Sequence, residues 1–391
     1  MSRWPQKALL EIARLTRGTE PGSESYTDSS RGARFLRVGD ITGKTNNPIY
    51  TDAAQTVLVS EADVLLALDG SPGYVSTGHS GAISSGIRKV EPREPNKVSL
   101  DWLRYSLMSP DVQHTISKYT TGVTIAHAAA AIEHVRIPIP PLAEQERLVQ
   151  ILKEAEQLRQ LRFEAERRTG ELIPALFYEM FPLSGTASQN FSDATIEQLV
   201  DQRDGSIRTG PFGSDLLHSE FTTHGVPVLG IDNVVANEFR WTQPRCIPED
   251  KYHNFKRFQV FPGDVLVTIM GTVGRCAVAP DDLPVCISTK HLCVMSLDRT
   301  QLDPYYLWAS ILFDESVRHQ TRIVGSGAIM EGWNSTIIRK LKIRIPPLKK
   351  QIVFSSQVAD VRAMTEKQAV CRQSNVDLLE VLLHRAFQGE L

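Results

Sequence analysis

The 391-residue sequence has no run approaching 18 apolar residues, which excludes a membrane-spanning helix. Met1 to Leu10 carries charge but no long apolar core, which argues against a secretory signal. Only five cysteines occur, Cys246, Cys276, Cys286, Cys293 and Cys371, and no two are spaced C-x-x-C. An odd number without that spacing fits buried reduced thiols in a cytoplasmic chain, not a disulfide framework or a zinc site. The ten histidines show neither H-x-x-x-H nor H-E-x-x-H, so no metal site is implied. No strong excess of positive charge is present either. Residues 1–135, 136–182, 183–340 and 341–391 carry net charges of 0, −1, −4 and +3. A chain that gripped DNA unaided would normally show a basic face.

Catalytic signatures are missing too. Gly39-Asp40-Ile41-Thr42-Gly43-Lys44-Thr45 is one residue short of a phosphate-binding P-loop. Asn47-Pro48-Ile49-Tyr50 lacks the second proline of an adenine-methyltransferase motif, and no Gly-rich strand–helix turn precedes it. Pro248-Glu249-Asp250-Lys251 offers carboxylates, but in an expected turn without an acidic partner on a strand. Nothing assembles a nucleophile, a base and an orienting group, so the chain reads as non-catalytic.

What is present is an internal repeat. The length implies two or three domains, and 41% hydrophobic with 23% charged residues is ordinary globular composition. Ile137-Pro138-Ile139-Pro140-Pro141-Leu142 returns as Ile343-Arg344-Ile345-Pro346-Pro347-Leu348, 206 residues later. The same offset aligns Gln145 with Gln351, Leu172 with Leu378 and Phe181 with Phe387. Upstream, Asp63-Val64-Leu65-Leu66 aligns with Asp264-Val265-Leu266-Val267 at 201, Leu36 with Leu229 at 193, and Leu100-Asp101 with Leu302-Asp303 at 202. A period near 200 is a domain duplication. The expected organisation is a variable domain (1–135), a helical segment (136–182), a second variable domain (183–340) and a second helical segment (341–391).

Each helical segment predicts one long helix. Leu142 to Phe181 contains only one glycine, Gly170. Pro141 suits a first helical position and Glu144 and Glu146 suit the positive end of the helix dipole, whereas Pro174 is expected to kink or end the helix. A heptad lane reads Leu148, Ile151, Ala155, Leu158, Arg162, Ala165, Thr169, Leu172, Leu176. Its counterpart is Phe354, Gln357, Val361, Met364, Gln368, Cys371, Asn375, Leu378, Leu382. These lanes fit two helices packed on one another, with polar positions fixing register; each helix packing on its own globular domain is the alternative. At roughly 60 Å such a helix would exceed one DNA turn of about 34 Å.

The variable domains read as mixed and strand-rich. Val64 to Leu68 and Val265 to Ile269 are short apolar runs, each followed by a Gly-x-x-Gly turn, at Gly70 and Gly73 and at Gly271 and Gly274. The turns serve either as tight strand connections or as loops presented to a ligand. Polar donors cluster around them. Candidates for DNA contact are Lys44, Ser71, Tyr74, Thr77, His79 and Arg88 in the first domain, and Arg208, Thr209, Ser214, Thr272, Arg275, Lys290 and His291 in the second. Arginine can grip guanine bidentately, and Lys or Ser/Thr can hold phosphate.

The duplicated Ile-Pro-x-Pro-Pro-Leu-x-x-Gln at 137–145, its near-copy at 343–351, and Arg208-Thr209-Gly210-Pro211-Phe212-Gly213-Ser214 together resemble the DNA-specificity subunit of type I restriction–modification systems. Arg37-Val38-Gly39-Asp40-Ile41 and Ile287-Ser288-Thr289-Lys290-His291-Leu292 look like segments common in such subunits. In the first domain the Gly-Pro-Phe-Gly-Ser loop has no clear counterpart beyond Thr16-Arg17-Gly18. The resemblance covers essentially the whole chain. It implies an α+β fold: two target-recognition domains, separated by two long helices packed as an antiparallel coiled coil, related by an internal pseudo-twofold. It implies a bipartite, gapped double-stranded DNA target. Two methyltransferase subunits carrying S-adenosylmethionine would methylate adenine N6, and motor-nuclease subunits using ATP and Mg would join for restriction. A duplicated adaptor holding two protein partners without DNA remains the other reading.

Overall fold

The computed structural model describes residues 3–45, 47–122, 126–182, 191–212, 215–325 and 333–391. The chain forms two compact units, residues 1–164 with 368–391 and residues 165–367. Among the described residues no helix is long and apolar enough to cross a membrane.

In unit 1 an antiparallel sheet runs in the order β2 (Ala13–Arg17), β10 (Ile87–Pro92), β7 (Val64–Ala67), β8 (Val75–Ser76). A second sheet runs β3 (Tyr26–Thr27), β5 (Ile49–Thr51), β4 (Ala33–Leu36), β9 (Gly81–Ile83), β6 (Leu58–Val59). Its β4–β9 pair is parallel. A two-stranded ribbon joins β1 (Gln6–Ala8) to β11 (Arg136–Pro138).

Unit 2 repeats this plan. Its antiparallel sheet runs β13 (Ile207–Thr209), β20 (Leu292–Met295), β17 (Val265–Thr268), β18 (Cys276–Val278). The mixed sheet runs β15 (Cys246–Ile247), β14 (Val226–Leu229), β19 (Cys286–Ser288), β16 (Gln259–Val260), with β14–β19 parallel. The ribbon is β12 (Ser192–Thr195) with β21 (Lys342–Ile345).

The apolar runs are continuous because each central strand faces two cores, and successive side chains point to opposite faces. Val64, Leu66 and Leu68 join the core around Trp102, while Leu65 and Ala67 join Leu36, Ile83 and Ile87. In unit 2, Val265, Val267 and Ile269 join Phe177, Tyr306 and Phe354, while Leu266 meets Leu229, Leu292 and Val294. Four thiols are buried and unpaired, and Cys371 is exposed. Burial pushes the Cys286 and Cys293 thiols up to about 12, which keeps them protonated.

The long helices run Leu142–Met180 and Leu348–Gln388. Pro174 lies inside the first, which continues past it instead of ending. Pro141 and Pro347 precede the helices, their carbonyls accepting from Glu144 and Gln145 and from Lys350 and Gln351. In unit 1 the helices pair antiparallel: Arg147 donates to the Leu391 carbonyl and Arg162 to that of Cys371. Leu148, Val149 and Leu152 share a core with Leu379, Leu383, Ala386 and Phe387. In unit 2, Phe177 and Phe181 pack edge-to-face against Phe354.

The buried stripe departs from the heptad lane. Leu148, Phe354 and Val361 are buried and Ile151 half-buried, but Leu158, Leu172, Met364 and Leu378 are 38–47% exposed. Leu379 and Leu383 are buried instead, one position after the expected Leu378 and Leu382. A 3.6-residue turn drifts against a strict seven-residue repeat. Helix-on-helix and helix-on-domain packing occur together, because the same side chains enter the globular cores. The Asn375 side chain lies outside the described residues.

The repeated glutamine explains the shared motif. Gln145 is fully buried, accepts from Ser99 N at 3.0 Å, and donates to the Lys97 and Pro140 carbonyls. Gln351 accepts from Asp303 N at 2.8 Å and donates to the Gln301 and Pro346 carbonyls. Ser99 and Asp303 cap the helices Leu100–Met108 and Pro304–Phe313. The true correspondence there is Ser99 with Asp303, an offset of 204, so the Leu100–Leu302 alignment was two residues out of register. Each glutamine thus clamps the start of a long helix to its domain. Gln351→Ala is expected to lower stability by about 1–3 kcal/mol, because buried groups lose their partners; a urea titration on the purified chain measures it, and an unchanged midpoint would contradict the clamp.

Candidate nucleic-acid interface

The two Gly-x-x-Gly segments are tight hairpin turns. Gly70, Gly73, Gly271 and Gly274 all take positive φ, between 69° and 85°, where side chains are strained. They join β7 to β8 and β17 to β18. Tyr74, Thr272 and Arg275 are left exposed on these turns.

In unit 1 the first turn borders a cleft of about 760 Å³, lined by Lys44, Ser71, Tyr74 and Thr77 and walled by Arg104 and Glu156. Lys44 Nζ reaches Ser71 Oγ at 3.4 Å. His79 Nε2 bonds Ser76 Oγ at 2.7 Å, and burial holds the imidazole below its ordinary value. Four of the six expected residues of the first domain therefore share one cavity.

Arg88 does not join them but lines a second cleft in unit 1. It is buried, and its Nη1 donates to the carbonyls of Ser85 at 2.6 Å and Ile87 at 3.2 Å.

Arg208 departs furthest from expectation. Instead of facing outward, its guanidinium is buried against Asp264 and Ser296 and donates to the carbonyls of Gln259 and Gly205. The sequence showed a cation in a polar loop, but Arg208 lies on β13 with its side chain turned into the sheet. Its partner sits at the repeat position of Asp63, which takes its cation from Lys89 at 3.1 Å. An ion-paired carboxylate is common to both units, half-buried at Asp63 and buried at Asp264, and the neutralising cation comes from different strands. Thr209 follows it, half-buried, and Ser214 lies outside the described residues.

A second cleft rests on a shared backbone frame in both units. Ser84 N donates to the Leu36 carbonyl at 2.9 Å, as Thr289 N does to Leu229 at 2.8 Å. Leu68 N donates to Gly86 and Ile269 N to His291, each at 2.9 Å. Gly18 packs against the Ile83 and Ser84 carbonyls, and Gly210 against those of Ser288 and its neighbour, so closely that a Cβ at either would lie under 2.5 Å from a backbone oxygen. Thr16-Arg17-Gly18 is thus the structural counterpart of the start of the 208–214 loop.

On this common frame the side chains differ. In unit 1 the cleft, about 580 Å³, presents Arg17, Glu20, Ser85, Asp69 and His127. Asp69 meets His127 at 2.6 Å, and Glu20 accepts from Ser85 N and Oγ. In unit 2, about 570 Å³, it presents Lys290, His291, Thr289, Asp232 and Arg245. Burial, then Lys290 and Arg245, holds His291 below the ordinary imidazole value, so it is neutral at pH 7. Asp69, His127, Asp232 and Arg245 carried no motif, and Arg17 appeared only within the faint Thr16-Arg17-Gly18 counterpart.

The carboxylates of Glu249 and Asp250 open a short helix, Glu249–Phe255, not a turn, and Lys251 pairs with Glu220. Among the described residues no three His, Cys, Asp or Glu side chains come together as metal ligands.

One strand-rich recognition frame, present twice and furnished differently each time, defines a duplicated recognition protein. Residues 1–168 match the family model of the type I restriction modification DNA specificity domain. The chain is 24% identical over 330 residues to the MjaVIII specificity subunit of Methanocaldococcus jannaschii, covering 79% of this chain and 74% of that one. It is 23% identical over 425 residues to the EcoBI specificity subunit of Escherichia coli, covering 99% and 86%. The fold matches the type I restriction–modification S subunit from M. genitalium with a TM-score of 0.62 at 13% identity, over 99% of this chain and 96% of that one. A chain from a structural study of type I system assembly and conformational transition matches at TM-score 0.61 and 19% identity, over 99% and 98%. The chain is thus similar to the DNA-specificity subunits of type I restriction–modification systems, most directly over residues 1–168.

Proposed function

We propose that this chain reads a bipartite, gapped double-stranded DNA target, residues 1–135 taking one half-site and 183–340 the other. The observation that carries the reading is the twice-built cleft, with one backbone frame and two sets of side chains. A protein that discriminates two different short sequences needs such an arrangement, because phosphate contacts position while base-edge contacts specify.

The chain supplies specificity and not catalysis. Two methyltransferase subunits dock on the repeated scaffold, bind S-adenosylmethionine and methylate adenine N6. Motor-nuclease subunits, with ATP and Mg, join for restriction. The near-neutral charge of every segment fits this division, since partner subunits then supply much of the phosphate grip. The long helices set the distance between the half-sites.

A genome-wide adenine-methylation map from cells with and without the chain, the methyltransferase partner expressed in both, tests the reading. Loss of a two-part gapped motif on deletion is expected. An unchanged map, with the partner active, would favour an adaptor that holds two proteins.

A further inference from the structure

The unit 2 cleft holds more hydrogen-bonding capacity than its own fold uses. Among the described residues, buried Ser288 Oγ, Thr289 Oγ1 and Arg245 Nε meet no partner. Folded proteins leave few such groups, and each asks for an explanation. Thr289 and Arg245 line the cleft directly, and Ser288 is fully buried beside them.

Arg245 is nonetheless held in place. Its Nη2 donates to Asp232 and, at 3.4 Å, to Asn233. Asp232 is fixed in turn by Thr242 Oγ1 at 2.5 Å. Burial would raise the Asp232 carboxyl, but the bonds from Thr242 and Arg245 outweigh it and hold the group below the usual carboxylate range. The carboxylate is therefore charged at neutral pH, and the guanidinium is a fork oriented before any ligand arrives.

A bidentate fork matches either a phosphate or the O6/N7 edge of guanine. Two features of the cleft favour the base. Asp232 lines it and would repel a phosphate, whereas a carboxylate accepts well from the N4 amine of cytosine, the partner in the same pair. The walls are apolar, formed by Pro211, Phe221, Ile231 and Val235, and suit a base edge better than a solvated phosphate.

Unit 1 has neither group. Ile49 stands opposite Phe35 where Arg245 stands opposite Val228, and Gly39 occupies the position of Asp232.

We propose that Arg245, oriented by Asp232, reads a G·C pair in the half-site recognised by unit 2. This rests on the DNA-specificity reading above and names one of its contacts.

The test uses the full chain in complex with its methyltransferase, and maps methylation for the wild type, Arg245→Lys and Arg245→Ala. One G·C position of one half-site is expected to become degenerate, its discrimination falling roughly 10- to 100-fold, with the other half-site and the gap unchanged. Lysine keeps a cation beside Asp232 but lacks the fork, so it decides the matter if melting curves show that the alanine variant is unfolded. Unchanged stringency at every position in the lysine variant would overturn the proposal. So would an equal loss at all positions in a folded variant, which is the signature of a phosphate contact. If deleting the chain erases the motif while the Arg245 variants leave it intact, only this inference fails. If deletion leaves the map unchanged, the specificity reading itself fails.

Discussion

Alanine at Arg208 is expected to destabilise unit 2 by about 3–5 kcal/mol, because it strands a buried carboxylate. Asp264 is 3% exposed, and its oxygens are met by Arg208, Ser296 Oγ at 2.6 Å and Phe261 N at 2.9 Å. Burial raises the Asp264 carboxyl above the ordinary carboxylate range, and Arg208 is the chief group working against that. Without the arginine the folded-state pKa rises further. The folded variant then holds a proton that the unfolded chain has released, so its stability is greatest at low pH and falls as pH rises. The deficit against wild type should accordingly be smaller at pH 5 than at pH 8. Thermal unfolding should show a loss of roughly 10 °C at neutral pH. Arg275→Ala, on an exposed turn, should melt within about 0.5 kcal/mol of wild type and weaken recognition of one half-site only. An Arg208→Ala chain that melts normally yet loses one half-site would place that guanidinium at the DNA after all.

Lengthening both helices by one heptad is expected to lengthen the gap in the target by about three base pairs while both half-sites persist. Seven residues add roughly 10 Å of helix, and base pairs are spaced about 3.4 Å apart. The insertions belong after Glu164 and after Lys367, where the helices pass from one compact unit to the other. Inserting in both keeps the antiparallel pairing in step. A methylation map reads the result directly, and an altered half-site with an unchanged gap would contradict the spacing role of the helices.

How far the sequence alone carried depended on the kind of signal. The Pro-Pro-Leu-x-x-Gln motif announced the duplication because its residues are fixed by a backbone geometry that recurs. Gln145 and Gln351 make the same three hydrogen bonds 206 residues apart. The strand runs were legible because each is buried on both faces. The helix lane was legible only in part, since its buried stripe is set by globular cores at either end and drifts from a heptad. The clefts were the least legible. Lys44 and Ser71 are 27 residues apart, Asp232 and Arg245 are 13 apart, and parallel strand pairing brings the rest together from greater distances. Arg208 misled because a loop-like string of polar residues does not reveal which way a strand turns its side chains.

The ribbons at the base of each domain have a further consequence. Ser192 pairs with Ile345 and Thr195 with Lys342, so the polypeptide enters and leaves the second domain side by side; Gln6 with Pro138 and Ala8 with Arg136 do the same for the first. Such a doorway makes each domain a cassette. Its interior can be exchanged, enlarged or rewritten between two adjacent crossing points while the helices behind it keep their course. A new target preference is then reachable by a single replacement event, without renegotiating the rest of the molecule.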